Sequence, residues 1–92
     1  MKFRLHSTEP PGIRQWDEGS VVFSPRACET CFLDPVASEG LLCLSADWMD
    51  EAAFCDVLSA RLGVENDDIL RTYAGKLIAR FDDFGLLEMV PP

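Results

Sequence analysis

The stretch GIRQWDEGSVVFSPRACETCFLDP, residues 12–35, decides the fold. Gly12-Ile13-Arg14-Gln15-Trp16 begins an alternation of apolar and polar residues and ends on a strand-favouring tryptophan. Asp17-Glu18-Gly19 is a turn, with Gly19 available for positive φ. Ser20-Val21-Val22-Phe23-Ser24 is β-branched and aromatic, the clearest strand of the chain. The two segments form a hairpin. Pro25-Arg26-Ala27-Cys28 breaks the pattern as a second turn, and Glu29-Thr30-Cys31-Phe32-Leu33 is a third strand. Three consecutive strands with short turns make an antiparallel meander. Asp34-Pro35 then opens a helix: aspartate caps, and proline suits the first helical position.

Downstream, apolar residues at Val36, Leu41, Leu42 and Leu44 carry this first helix, which should fade around Ser45–Trp48. Gly40 weakens it by about 1 kcal/mol relative to alanine unless a close contact requires it. Asp50 caps a second helix with Phe54, Val57, Leu58 and Leu62 at three-to-four spacing, ended by Gly63. The third begins near Asn66 or Asp67, its acids complementing the helix dipole. Leu70, Tyr73, Leu77, Phe81 and Phe84 form its stripe, and Gly85 stops it. Leu86–Val90 is a short strand or an arm closing the core, before Pro91-Pro92. Upstream, Phe3 and Leu5 make a short strand or packed arm, and Glu9-Pro10-Pro11-Gly12 stops regular structure. Strands followed by helices predict an α+β domain. Its plan is winged-helix-like: a three-stranded antiparallel sheet, then three helices, the third lying beside the sheet.

The chain has 92 residues, which predicts a single domain over residues 1–92. A hydrophobic content of 48% suffices for one core and argues against disorder. No run approaches the roughly 18 apolar residues of a membrane span, and Met1-Lys2-Phe3-Arg4 lacks the apolar run of a secretory signal. The cytoplasm is the expected location. A net charge of −8, from 8 basic and 16 acidic residues, opposes binding to nucleic acid and to anionic membranes. The third helix sets Arg71, Lys76 and Arg80 against Asp67, Asp68, Asp82 and Asp83, a poor composition for reading a major groove.

Residues for catalysis are sparse. His6 is the single histidine, and it sits in the N-terminal arm. No Gly-x-Ser-x-Gly elbow and no glycine-rich phosphate cradle occurs. Cys43 and Cys55 read as small core residues. Cys28-x-x-Cys31 has the spacing of half a zinc site or a redox pair. A structural zinc needs two further ligands, no second such pair exists, and this one straddles a turn and a strand. The expectation is a non-enzyme with no cofactor and no metal.

The order Trp16, a turn ending in Gly19, Val21-Val22-Phe23, Thr30-Cys31-Phe32-Leu33-Asp34-Pro35, and finally Leu77, Phe81, Phe84-Gly85-Leu86-Leu87-Glu88 resembles the PqqD-like peptide chaperones. It is most similar to the branch associated with an HPr-kinase-related protein. The likeness runs from about Phe3 to Glu88. That branch often approaches its third strand through a Gly-Asp-Thr-His type of segment, where this chain has Cys28-Glu29-Thr30-Cys31. The resemblance implies a RiPP recognition element, a domain that binds the leader of a ribosomally made, later modified peptide. The leader joins as a strand beside the third strand and against the third helix, and is presented to a separate modifying enzyme.

This implied mechanism fits the residues. A meander leaves one edge of its third strand unpaired, and such an edge is a template for another strand. The expected peptide contacts are Glu29, Thr30, Cys31, Phe32 and Leu33. Leu33 is read first as packing the sheet on its helices, and Phe32 as either core or contact. At about 100° per residue, the third helix carries Arg71, Ala74, Gly75 and Ile78 on one flank. Lys76 and Arg80 stand on the other. The first flank is the expected groove wall. There Ala74 and Gly75 admit a close backbone, Arg71 meets an acidic residue, and Ile78 is either contact or widened core. Edge pairing with another copy and DNA binding are the competing readings; the oligomeric state is left open.

Overall fold

The computed structural model describes residues 2–6, 11–45 and 47–90. Four strands come first: β1 (Lys2–Leu5), β2 (Gly12–Trp16), β3 (Gly19–Ser24) and β4 (Glu29–Leu33). Then follow α1 (Pro35–Leu42), β5 (Met49–Asp50), α2 (Glu51–Leu62), α3 (Asp68–Asp83) and β6 (Leu87–Val90). The result is a small α+β fold of three helices and two antiparallel sheets. One sheet is the expected meander, in the order β2-β3-β4. The Glu9-Pro10 part of the expected break, and Pro91-Pro92, lie outside the described residues.

The second sheet, β5-β1-β6, extends the sequence reading. β1 is its centre. Lys2 to Leu5 face Val90 to Leu87, and Lys2 and Phe3 face Asp50 and Met49. The arms at the two ends of the chain are therefore strands, and each completes the other. Phe3 points inward and meets the ring of Phe54 edge-on at 6.0 Å, an arrangement that aromatic quadrupoles favour. On the opposite face Arg4 pairs with Glu88 at 3.1 Å and lies 4.3 Å over the ring of Trp48.

Each helix starts on an aspartate whose carboxylate accepts the backbone N–H three residues on. Asp34 caps α1 through Ala37, Asp50 caps α2 through Ala53, and Asp67 caps α3 through Leu70. α1 ends at Leu42, sooner than the expected fade around Ser45–Trp48. The second sheet explains this. The Ser45 carbonyl accepts the N–H of Leu5, and β5 pairs with β1, so this segment is drawn off as an edge strand. Gly40 is used for close approach: a Cβ there would lie 2.7 Å from Leu77 Cδ1 of α3.

The core gathers Val22 and Leu33 of the meander, Leu41 of α1, Phe54 and Leu58 of α2, and Leu77 and Phe81 of α3. Cys43 and Cys55 are buried within it. One buried polar link holds α1 against the meander. Ser20 Oγ and Ser38 Oγ are 2.8 Å apart, and Ser38 also donates to the Leu33 carbonyl.

The β2–β3 turn depends on Gly19. Its φ is 140°, and a Cβ there would overlap the Leu33 carbonyl oxygen. Gly19→Ala is expected to lower unfolding free energy by at least about 2 kcal/mol, from backbone strain plus displacement of β4. Urea denaturation measures it; a loss under about 0.5 kcal/mol would show that the turn has room.

Candidate functional site

Among the described residues β4 pairs with β3 alone, and its second edge lies open toward α3. The register tells which backbone groups face that edge. The two-residue turn Asp17-Glu18 makes Trp16–Gly19 the closing hydrogen-bonded pair of the first hairpin. In an antiparallel ladder such pairs alternate. β3 therefore bonds β2 through Gly19, Val21 and Phe23, and β4 through Ser20, Val22 and Ser24. Their partners on β4 are Leu33, Cys31 and Glu29. Thr30 and Phe32 are left with N–H and C=O groups directed at the open edge. Arg80 corroborates this from the far side, where its Nη2 donates to the Phe32 carbonyl at 3.4 Å.

A groove of about 490 Å3 runs between this edge and α3. Cys31 and Leu33 of β4, with Phe81, Phe84 and Leu86, give it an apolar surface. Its α3 wall consists of Lys76, Ala79, Arg80 and Asp83. α3 runs against β4. Its Tyr73 feels the charge of Asp34, just past the end of β4. Gly85, after its last turn, abuts Ser24 at the end of β3 and Arg26 and Ala27 in the turn that leads into β4. Toward the Tyr73 end the surface continues as an apolar depression around Val36, Val64, Ile69 and Tyr73. Ile69 there is 81% exposed.

The placement corrects the expected groove wall. Arg71, Ala74, Gly75 and Ile78 are not beside β4. Ala74 is 0% and Ile78 9% exposed, and both belong to the core. Gly75 faces α2, where a Cβ would stand 3.2 Å from Glu51 Oε1. Arg71 bonds Asp68 and the Asn66 carbonyl. The opposite flank, with Lys76 and Arg80, lines the groove. The cause is a small roll of the helix. Tyr73 and Phe84 are only half-buried, while Ala74 and Ile78 sit inside. The buried stripe is centred between Leu70, Ala74, Leu77 and Phe81, and that turns the Lys76 flank toward β4. Weighting the small Ala74 as a core position would have given this orientation.

The β4 residues divide by face. Cys31 and Leu33 point into the groove and the core, and Glu29 is exposed at the strand start. Thr30 and Phe32 point to the outer face, which by register they share with Trp16 and Phe23, and Phe32 is 52% exposed there. Phe32 thus does not pack the sheet on the helices, and it meets the groove through its backbone. Cys28 stands in the turn at φ 54°, and its thiol and that of Cys31 are free. Burial pushes the Cys31 thiol above its ordinary range, with Arg80 pulling it down and Glu29 adding to the rise. Among the described residues no three His, Cys, Asp or Glu side chains cluster to hold a metal ion. No helix among them is long and apolar enough to cross a membrane.

Two measurements check this geometry. The amides of Thr30 and Phe32 should exchange with solvent at least about tenfold faster than those of Cys31 and Leu33. Equal protection of all four would contradict the assigned register. Iodoacetamide should modify Cys31 slowly at pH 8, with the rate still climbing above pH 9 as the thiolate forms. A rate that has levelled off by pH 8 would contradict a raised thiol pKa.

Compared with protein-family models, curated proteins and solved structures, the chain gives no match.

Proposed function

We propose that this chain is a non-catalytic peptide chaperone of the PqqD-like kind, a RiPP recognition element with a winged-helix-like plan. It takes the leader segment of a ribosomally made precursor as an added strand on β4. It then presents that peptide, in the cytoplasm, to a separate modifying enzyme, which in the branch it resembles is associated with an HPr-kinase-related protein. The observation that carries this reading is the open β4 edge over an apolar groove faced by a helix. An added strand would find paired donors and acceptors at Thr30 and Phe32, each bond contributing about 0.5–1.5 kcal/mol net. Its inward side chains would reach Cys31, Leu33 and Phe84. Binding of this type needs no catalytic residue, cofactor or metal.

DNA binding finds less support. The cations of α3, Arg71, Lys76 and Arg80, are equalled in number by Asp68, Asp82 and Asp83 on the same helix, on a chain of net charge −8.

The test is titration of 15N-labelled protein with leader segments from short reading frames beside this one. Shifts should concentrate at Thr30, Phe32 and the Lys76–Phe84 part of α3. Shifts confined to the β2 hairpin, or none with any neighbouring leader, would refute the reading. A backbone variant sharpens it. The Thr30 N–H is not used by β3, so Thr30→Pro should keep the fold, as proline does on open edges. It should nonetheless weaken leader binding by about tenfold or more, because the edge loses a donor and gains a ring. Undiminished binding by folded Thr30→Pro would exclude strand addition at this edge.

A further inference from the structure

The groove holds one contact that an added strand must break. The Phe32 carbonyl is one of the two acceptors that β4 offers at its open edge, and the Arg80 guanidinium already occupies it at 3.4 Å. We infer that Arg80 is a displaceable plug on the β4 edge, and that the groove selects an extended peptide with an acidic residue close to the position opposite Phe32. The inference rests on the strand-addition reading and names the chemistry of its ligand.

The Arg80 contact is open to exchange. A guanidinium resting on a neutral carbonyl at long range is held weakly. A carboxylate offers a shorter, charge-assisted and bidentate partner. An incoming strand that carries one removes the plug from the carbonyl it needs and gives the plug a better place. A neutral strand displaces Arg80 into water with nothing in return.

The surroundings point the same way. Lys76 lies one turn before Arg80 on the same wall. It makes no ion pair among the described residues. Like charges at this spacing repel mildly, and an anion between them removes the repulsion. On a chain of net charge −8 this is a local positive patch beside an apolar floor. Asp83, nearer the end of α3, sets the limit of the patch. An acidic side chain is favoured beside Arg80 and disfavoured toward Asp83, so charge complementarity also sets the register of the strand. In the unliganded protein the same contact masks an edge acceptor, one way in which proteins discourage edge-to-edge pairing.

Two end-blocked heptapeptides serve as probes, Thr-Val-Thr-Asp-Thr-Val-Thr and its counterpart with a central asparagine. Each is titrated into the 15N-labelled full chain at pH 7 and low salt, with wild type, Arg80→Gln and Lys76→Gln compared. Wild type should prefer the aspartate peptide by about fivefold. Arg80→Gln should reduce the preference to within about twofold and bind the asparagine peptide at least as well as wild type does. Lys76→Gln should retain most of the preference. Edge shifts of equal strength for both peptides in wild type would overturn the inference and leave strand addition standing. So would a preference that survives Arg80→Gln or vanishes in Lys76→Gln alone. If neither peptide moves the Thr30 and Phe32 amides, strand addition itself fails and the inference falls with it.

Discussion

The one-sided pairing of β4 is the constraint on which the rest of the structure turns. β4 gives the hydrogen-bonding groups of Glu29, Cys31 and Leu33 to β3, and those of Thr30 and Phe32 to the space beside it. The same alternation sorts its side chains. Cys31 and Leu33 become part of the core and the groove floor, while Thr30 and Phe32 face away. A slip of one residue would exchange both sets at once and put Phe32 where Leu33 is now buried. The register is held at three points: by Gly19 under the Leu33 carbonyl, by Ser38 donating to that carbonyl, and by the cap of Asp34 starting α1 directly after the strand. Local turn chemistry thus determines which backbone groups reach the groove.

The second constraint is the roll of α3. A helix beside an open strand makes a groove only if it stands off by about the width of a chain. Here α3 is held by its contacts with α1, α2 and β6 rather than with β4. Gly40 lets Leu77 approach α1 closely, and Ala74 is completely buried. The turn after α3 is fixed against the β3–β4 turn, and β6 is carried away into the second sheet with β1. The end of the helix is therefore anchored while its middle flank stays free. Lys76, Ala79, Arg80 and Asp83 form a wall because the residues that bind α3 to the core are on its other sides.

Much of this was legible in the chain. Gly12–Leu33 is a meander because its β-branched and aromatic runs alternate with unambiguous turns, and Asp34, Asp50 and Asp67 mark three helix starts. A short strand or arm could be read at each end of the chain, but their pairing into a second sheet had no local signature. Lys2–Leu5 and Leu87–Val90 are strands only because each finds the other, some eighty residues away in sequence (Arg4 to Glu88, |i−j| of 84). Met49–Asp50 is too short to carry any period and is a strand only because β1 lies beside it. The side of α3 that meets β4 depended on whether Tyr73 or Ala74 lies deeper. Hydrophobicity favoured the tyrosine. Packing favoured the alanine, since a small residue admits the neighbouring elements, and Tyr73 is only half-buried.

Among the described residues two strand edges of the meander are open, and they are not equivalent. β2 has every residue exposed, and among the described residues no helix is set beside its outer edge. A strand added there would gain backbone bonds and lose side-chain entropy, with little apolar surface to bury in return. β4 offers the same bonds plus a floor of Cys31, Leu33, Phe81 and Leu86 and a second wall from α3. The difference between the two edges is therefore mostly burial, and it is α3 that supplies it. The edge with the better pairing environment is also the one that carries a cation on its acceptor, whereas Arg14 is the one cation along β2 itself. Protection has been placed where unintended pairing would be strongest. On the proposed reading, binding at β4 would require a ligand able to answer that cation, so one side chain would both guard the edge and narrow what it accepts.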